Sequence, residues 1–174
     1  STRSFINNLI PAIKIPMVVD ADGLRHLAQI TGWHKHIFAP TVLTPHPGEM
    51  SALTGLSKEE VQSNREVIAM KYAREWGCVV VLKGAFTVIA SPDGRSTVIP
   101  VATPALAKAG TGDVLAGLIV GLCAQGVNAF DAAVAGAFIH AQAGLFAAQA
   151  MGTTASVLAG DVLDSVSDVL ADLE

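Results

Sequence analysis

The 174 residues are enough for one domain around one core and too few for two ordinary ones. With 51% hydrophobic and only 15% charged side chains the chain is no disordered segment, and with 5% aromatics its core must be built from Ala, Val, Leu and Ile. The net charge of −4 argues against a nucleic-acid partner, and all 11 Lys/Arg fall in residues 1–108, leaving only acidic charge after them.

The polar stretch Ser1–Asn8, followed by Pro11 and Pro16, does not read as a secretory signal. Residues 4–10 predict a short helix ended by Pro11. Met17–Val19 reads as a short strand ending at Asp20, and Asp22–Ile30 as a helix with Leu24, Leu27 and Ala28 on one face. Thr41–Thr44 is a second strand. Ser57, with Glu60 three residues on, forms a capping box for a helix running to Trp76 and stopped by Gly77. Cys78–Leu82 is a continuous, β-branched buried strand. Phe86–Ala90 and Ser96–Pro100 make a hairpin over Pro92-Asp93-Gly94, where Pro presets φ and Gly accepts a positive one.

Helices are expected over about 113–125, 128–150 and 156–171. Residues 132–160 carry no charge and are long enough to span a bilayer, but their Ala-rich composition with Gly136, His140, Gln142 and Gly144 fits packed, buried helices better than a membrane span. Cys78 and Cys123 lack metal spacing and read as small buried hydrophobes in a reducing cytoplasm. Alternation of strand and helix, then a run of helices, predicts an α/β fold. It has a mostly parallel central sheet covered by helices, a hairpin near 86–100 and a C-terminal helical layer.

Four segments can carry chemistry. In Ala109-Gly110-Thr111-Gly112-Asp113 two glycines precede a helix, whose free N–H groups and dipole attract an anion. There is no GxxxxGK[ST] loop. Asp113 beside an anion site suits a base that takes a proton from a substrate hydroxyl, and equally an ordinary first-turn acid. In Thr44-Pro45-His46-Pro47-Gly48-Glu49 two prolines hold His46 just after a strand, positioned to donate to a phosphate or ribose. Glu49 reads as a structural N3 acid behind Pro47 at N1. Lys83 ends a buried strand before Gly84 and either meets phosphate as a point charge or merely emerges from the strand. Asp20 and Asp22 are carboxylates for magnesium or a ribose, Asp22 equally an N-cap. His26, His34 and His36 read as surface or packing residues, and His140 as a satisfied core histidine.

Val18-Val19-Asp20-Ala21-Asp22-Gly23-Leu24, Leu43-Thr44-Pro45-His46-Pro47-Gly48-Glu49-Met50, Leu82-Lys83-Gly84-Ala85-Phe86-Thr87 and Ala109 to Gly117 together resemble the ADP- or ATP-dependent NAD(P)H-hydrate dehydratases of the ribokinase-like superfamily. The Gly-Thr-Gly-Asp element marks the superfamily, and His-Pro-Gly-Glu narrows it to the dehydratases. The resemblance implies a ribokinase-like layered fold and repair of hydrated NADH or NADPH. The ring hydroxyl is phosphorylated by ADP or ATP with Mg2+, and phosphate is then eliminated. It implies Asp113 as the base at the hydrate, His46 as a hydrate contact, and Lys83, Gly84, Ala85, Phe86, Thr87 and Gly112 as the adenine-nucleotide site. Gly110, Thr111, Gly112 and Asp113 become the anion hole, and the assembly a cytoplasmic homo-oligomer.

Members of that family carry roughly a hundred further residues ahead of the segment that opens here, about a small domain's worth. Residues 1–174 are thus expected to be the C-terminal portion of a single fold. Two other readings share the same residues. One is a ribokinase-like kinase for a small alcohol such as a vitamin precursor, which has no evident need for His46. The other is a non-catalytic fragment that binds adenine nucleotide.

Overall fold

The computed structural model describes residues 2–174, with side-chain environments from Ser4 onward. The elements in order are α1 (Thr2–Leu9), β1 (Met17–Val19), α2 (Asp22–Leu27), β2 (Thr41–Leu43), α3 (Pro47–Thr54), α4 (Lys58–Ser63), α5 (Arg65–Trp76) and β3 (Val79–Leu82). Then follow β4 (Val88–Ala90), β5 (Ser96–Val98), α6 (Thr111–Ala124), α7 (Ala129–Met151), α8 (Ala159–Asp164) and α9 (Val166–Asp172).

The five strands form one sheet in the order β1-β2-β3-β4-β5. The first three are parallel, with Val18 opposite Val42 and Leu43 opposite Val80. β4 and β5 continue as an antiparallel meander, with Val81 opposite Ile89 and Ile89 opposite Thr97. The hairpin expected within 86–100 is there.

Alternation along β3 explains the layering. Val80 and Leu82 enter a core with Leu24, Leu27, Met50, Val61, Ile68 and Trp76, contributed by helices on one face. Val79 and Val81 enter a second core with Leu115, Ile119, Phe130 and Ala137 from α6 and α7 on the other. A sheet buried on both faces requires apolar residues of both parities, which is what Cys78–Leu82 supplies. A third cluster, with Ile139, Ala143, Val157, Val162 and Val169, binds α8 and α9 to α7.

By length and composition α7 could cross a membrane, but eleven of its residues are buried inside this fold. A Cβ on Gly136 would lie 2.8 Å from Ile119 Cγ1 and 3.2 Å from the Ile119 backbone N, so glycine is what lets α6 and α7 approach so closely.

Two expected helices are interrupted. The helix from Ser57 carries its capping box with Glu60, but breaks at Asn64 (φ −135°, ψ 40°) before resuming as α5. The break brings the Arg65 guanidinium to the end of β3, where its bonds to main-chain carbonyls offset those lost from the helix. The helix expected over 156–171 divides at Ser165 into α8 and α9, which present Val162 and Val169 to the same core.

Candidate functional site

Parallel strands deliver their C-terminal ends to one edge of the sheet, and here three such ends converge. Thr44 N donates to Val19 O at 3.2 Å and Lys83 N to Pro45 O at 2.8 Å, tying the exits of β1, β2 and β3 together. Lys83 Nζ lies 2.6 Å from Asp20 Oδ1 and 3.9 Å from Glu49 Oε2, so one ammonium is shared by two carboxylates from different elements. Glu49 is 5% and Asp20 12% exposed, which makes this cation their main compensation. Asp22 sits outside the cluster, paired with Arg25 at the surface.

His46 is the N-cap of α3. Its Nδ1 accepts from Gly48 N at 3.0 Å and Glu49 N at 3.2 Å, and Glu49 Oε2 accepts from His46 N at 2.9 Å. Pro47 at N1 completes the geometry the sequence predicts for Glu49. Because Nδ1 accepts, the ring proton sits on Nε2, 3.3 Å from Glu49 Oε1. No hydrogen bond ties that N–H to Glu49, and the half-exposed ring lines the cavity described below.

The Gly-rich segment opens α6 beside this cluster. Gly110 is its N-cap, with φ 86°. Thr111 N and Asp113 N make turn bonds to Lys108 O (3.4 Å) and Gly110 O (3.1 Å), whereas Gly110 N and Gly112 N have no acceptor among the described residues. The expected four-residue anion hole therefore presents two unpaired amides, at Gly110 and Gly112. Gly112 lies beside both ends of the ion pair, since a Cβ there would be 3.4 Å from Lys83 Nζ and 3.5 Å from Asp20 Oδ2.

A cavity of about 700 Å³ opens against these groups, a size that suits a nucleotide. Of the residues singled out in the sequence, His46, Lys83, Gly84, Ala85, Thr87, Thr111 and Gly112 line it. Gly110, Phe86 and Asp113 do not. Phe86 has φ 55° and a half-exposed ring, held outside the wall by the turn in which Thr87 Oγ1 donates to Gly84 O at 3.1 Å. The Asp113 side chain is exposed and lies beside the cavity-lining Gly112 at the start of α6, without itself lining the cavity. Residues 101–104 and 106–108 also line it; they carry no motif, and the sequence offers no signal for them.

His140 also lines the cavity. Its Nε2–H donates to Thr111 O at 2.8 Å, pinning the first turn of α6 to α7. Burial pushes the imidazole down to about 4, against the pull of the Thr111 bond, and the Lys83 charge acts in the same direction as burial. His140 is thus neutral in the folded protein near pH 7, a satisfied core histidine as expected.

Residues 2–167 match the family model described as NAD(P)H-hydrate dehydratase. The whole chain is 47% identical to the bifunctional NAD(P)H-hydrate repair enzyme Nnr of Moorella thermoacetica, covering 33% of that protein. The structure superimposes on the ADP/ATP-dependent NAD(P)H-hydrate dehydratase of Bacillus subtilis, co-crystallised with ATP/Mg2+, with a TM-score of 0.84 and 32% identity, over 96% of this chain and 58% of that one. A ribokinase-like superfamily protein from Enterococcus faecalis shares the fold at TM-score 0.80 and 20% identity. The chain spans about a third of the repair enzyme and under two thirds of the solved dehydratase. A family model that runs through both cores and every strand end of the site leads to one assignment: this chain belongs to the NAD(P)H-hydrate dehydratase family.

Proposed function

We propose that residues 1–174 form the C-terminal, nucleotide-binding portion of an ADP- or ATP-dependent NAD(P)H-hydrate dehydratase, a carbon–oxygen lyase that repairs hydrated NADH or NADPH. The observation that carries this reading is the meeting of the Lys83 ammonium and the unpaired Gly112 amide at one wall of the 700 Å³ cavity. A cation and a helix N-terminus together make a site for phosphate. Lys83, Gly84, Ala85 and Thr87 then seat the adenine nucleotide.

Asp113, at the exposed rim of α6, accepts the proton of the hydrate hydroxyl. The hydroxyl oxygen bonds to the terminal phosphorus as the bridging P–O bond breaks, leaving AMP from ADP or ADP from ATP. The ring nitrogen lone pair then expels phosphate from carbon 6, and loss of a proton from carbon 5 restores the dihydropyridine. Gly110 and Gly112 stabilise charge on the transferred phosphoryl group. His46 supports the hydrate side through its cavity-facing ring.

The donor set suits magnesium. Asp20 and Glu49 converge on one cation already, and among the described residues no group of three His, Cys, Asp or Glu could hold a metal by itself. Magnesium is commonly held by one or two carboxylates with substrate phosphates completing its shell. Asp20 and Glu49 are the residues that would hold it, and it would supply positive charge to the phosphates during transfer. Cys78 and Cys123, both free and buried, support a reducing, cytoplasmic setting.

The test incubates the protein with hydrated NADH, magnesium and ADP or ATP, and follows the return of reduced-nicotinamide absorbance. Recovery that needs the nucleotide and yields free phosphate is expected. A phosphorylated product that persists would instead make the protein a kinase, and binding without turnover would make it a nucleotide-binding fragment.

A further inference from the structure

We infer that Arg65 is the positioning residue of the nucleotide loop 83–87, an inference that rests on the nucleotide reading of the cavity. Arg65 does not itself line the cavity but stands behind residues that do. Its Nη2 donates to Leu82 O at 2.8 Å and its Nη1 to Lys83 O at 3.5 Å, the last carbonyl of β3 and the first beyond it. Nη1 also donates to Gln62 Oε1 at 2.9 Å, which fixes the guanidinium plane from the preceding helix.

These contacts hold the two peptide planes that aim Lys83 and Gly84. Gly84 has φ +148°, and a Cβ there would lie 2.8 Å from Nη1 and 3.1 Å from Nη2, so the loop backbone lies directly against the guanidinium. A flat group with several donors fits such a seat; an ammonium does not reproduce it. No carboxylate lies within ion-pair distance of Arg65 among the described residues, so its charge is not spent on a partner acid. The guanidinium replaces, for the loop, the ladder partners that the sheet no longer provides. Its reach depends on the break at Asn64, which starts α5 at Arg65.

The experiment compares wild type, Arg65→Met and Arg65→Lys. It reads equilibrium ADP and ATP binding by calorimetry with magnesium, steady-state kinetics, and amide hydrogen exchange. Arg65→Met is expected to weaken nucleotide binding and raise the nucleotide KM by about tenfold, with kcat within about twofold and KM for the hydrate unchanged. Arg65→Lys is expected to recover part of the loss. Exchange at amides 84–87 is expected to rise about tenfold while that of β1 stays as in wild type. Unaltered nucleotide affinity, or exchange that rises evenly over all strands, would overturn the inference. Where Arg65→Met does not fold, Gln62→Leu frees the guanidinium instead and is expected to shift affinity and loop exchange in the same direction; no shift overturns the inference. If wild type binds no adenine nucleotide, the functional reading falls, and loop exchange alone still decides whether Arg65 positions residues 83–87.

Discussion

Lys83 Nζ and Asp20 Oδ1 are 2.6 Å apart although 63 residues separate them in the chain. The pair joins the exits of β3 and β1, and Glu49, 3.9 Å away, takes a share of the same charge. Removing the cation leaves two mostly buried carboxylates with only their backbone N–H partners and the His46 ring, and without the ammonium that balances their charge. Lys83→Met is expected to destabilise the fold by about 2–3 kcal/mol. Replacing Asp20 by Asn in the same chain should return part of that loss. Urea unfolding of the two single variants and the double variant measures the coupling.

Asp113 is exposed and makes no side-chain hydrogen bond among the described residues, so its replacement has little structural consequence. Asp113→Asn is expected to keep the wild-type melting temperature and nucleotide affinity. Hydrate repair should fall by about 10²–10⁴-fold, the usual contribution of a general base. Full activity in the variant would remove Asp113 from the mechanism.

His140 supplies a pH signature. Its folded-state pKa, near 4, lies below the ordinary value of 6.5, so the unfolded chain takes up a proton first as the medium is acidified. The stability it contributes is complete above about pH 6.5 and is lost progressively as pH falls toward 4. Between pH 7 and 5 that amounts to about 2 kcal/mol. His140→Gln, which keeps an N–H for the Thr111 carbonyl, should lack this part of the pH dependence. Denaturant unfolding at the two pH values in both proteins reads the difference.

Ala21 lies beside Asp20 with φ 51° and ψ −123°, a conformation that disfavours a Cβ. Ala21 N donates to Asp20 Oδ1 at 2.7 Å, so the strained peptide helps aim the carboxylate that holds Lys83. Strain of this kind costs about 1–3 kcal/mol, against about 0.5–1 kcal/mol for the added freedom of an unfolded glycine. Ala21→Gly is therefore expected to stabilise the protein by about 1 kcal/mol, raising the melting temperature by about 2–4 °C. Differential scanning calorimetry decides the sign.

Much of the fold was legible because it is governed by residues close together in the chain. The apolar run before Leu82 is a strand buried on both faces. Ser57 and Glu60 satisfy each other's amides three residues apart, and Pro47 and Glu49 open α3 as their types predict. The Pro92-Asp93-Gly94 turn joins two strands whose pairing follows from its length. Each of these rests on backbone groups within one turn, which the local sequence is able to saturate.

The residues at the strand ends stand out in the sequence as candidates for chemistry, but their relationships lie beyond local pattern. Only the register of three parallel strands brings Asp20, Glu49 and Lys83 to one point, because crossover connections separate them widely in sequence. His46 became a cap because Nδ1 reached two amides that its neighbours left open. Asp113 is exposed and does not line the cavity, because one residue along α6 is a turn of about 100° from Gly112, which does. Arg65 carried no signal of its own, since a charged residue inside an expected helix reads as solvated surface, and only the break at Asn64 turned it toward Gly84. The sequence by itself determined the elements, their caps and the residues able to do chemistry. The tertiary structure decided which of them meet, because convergence across tens of residues depends on strand register and helix packing rather than on any neighbour in the chain.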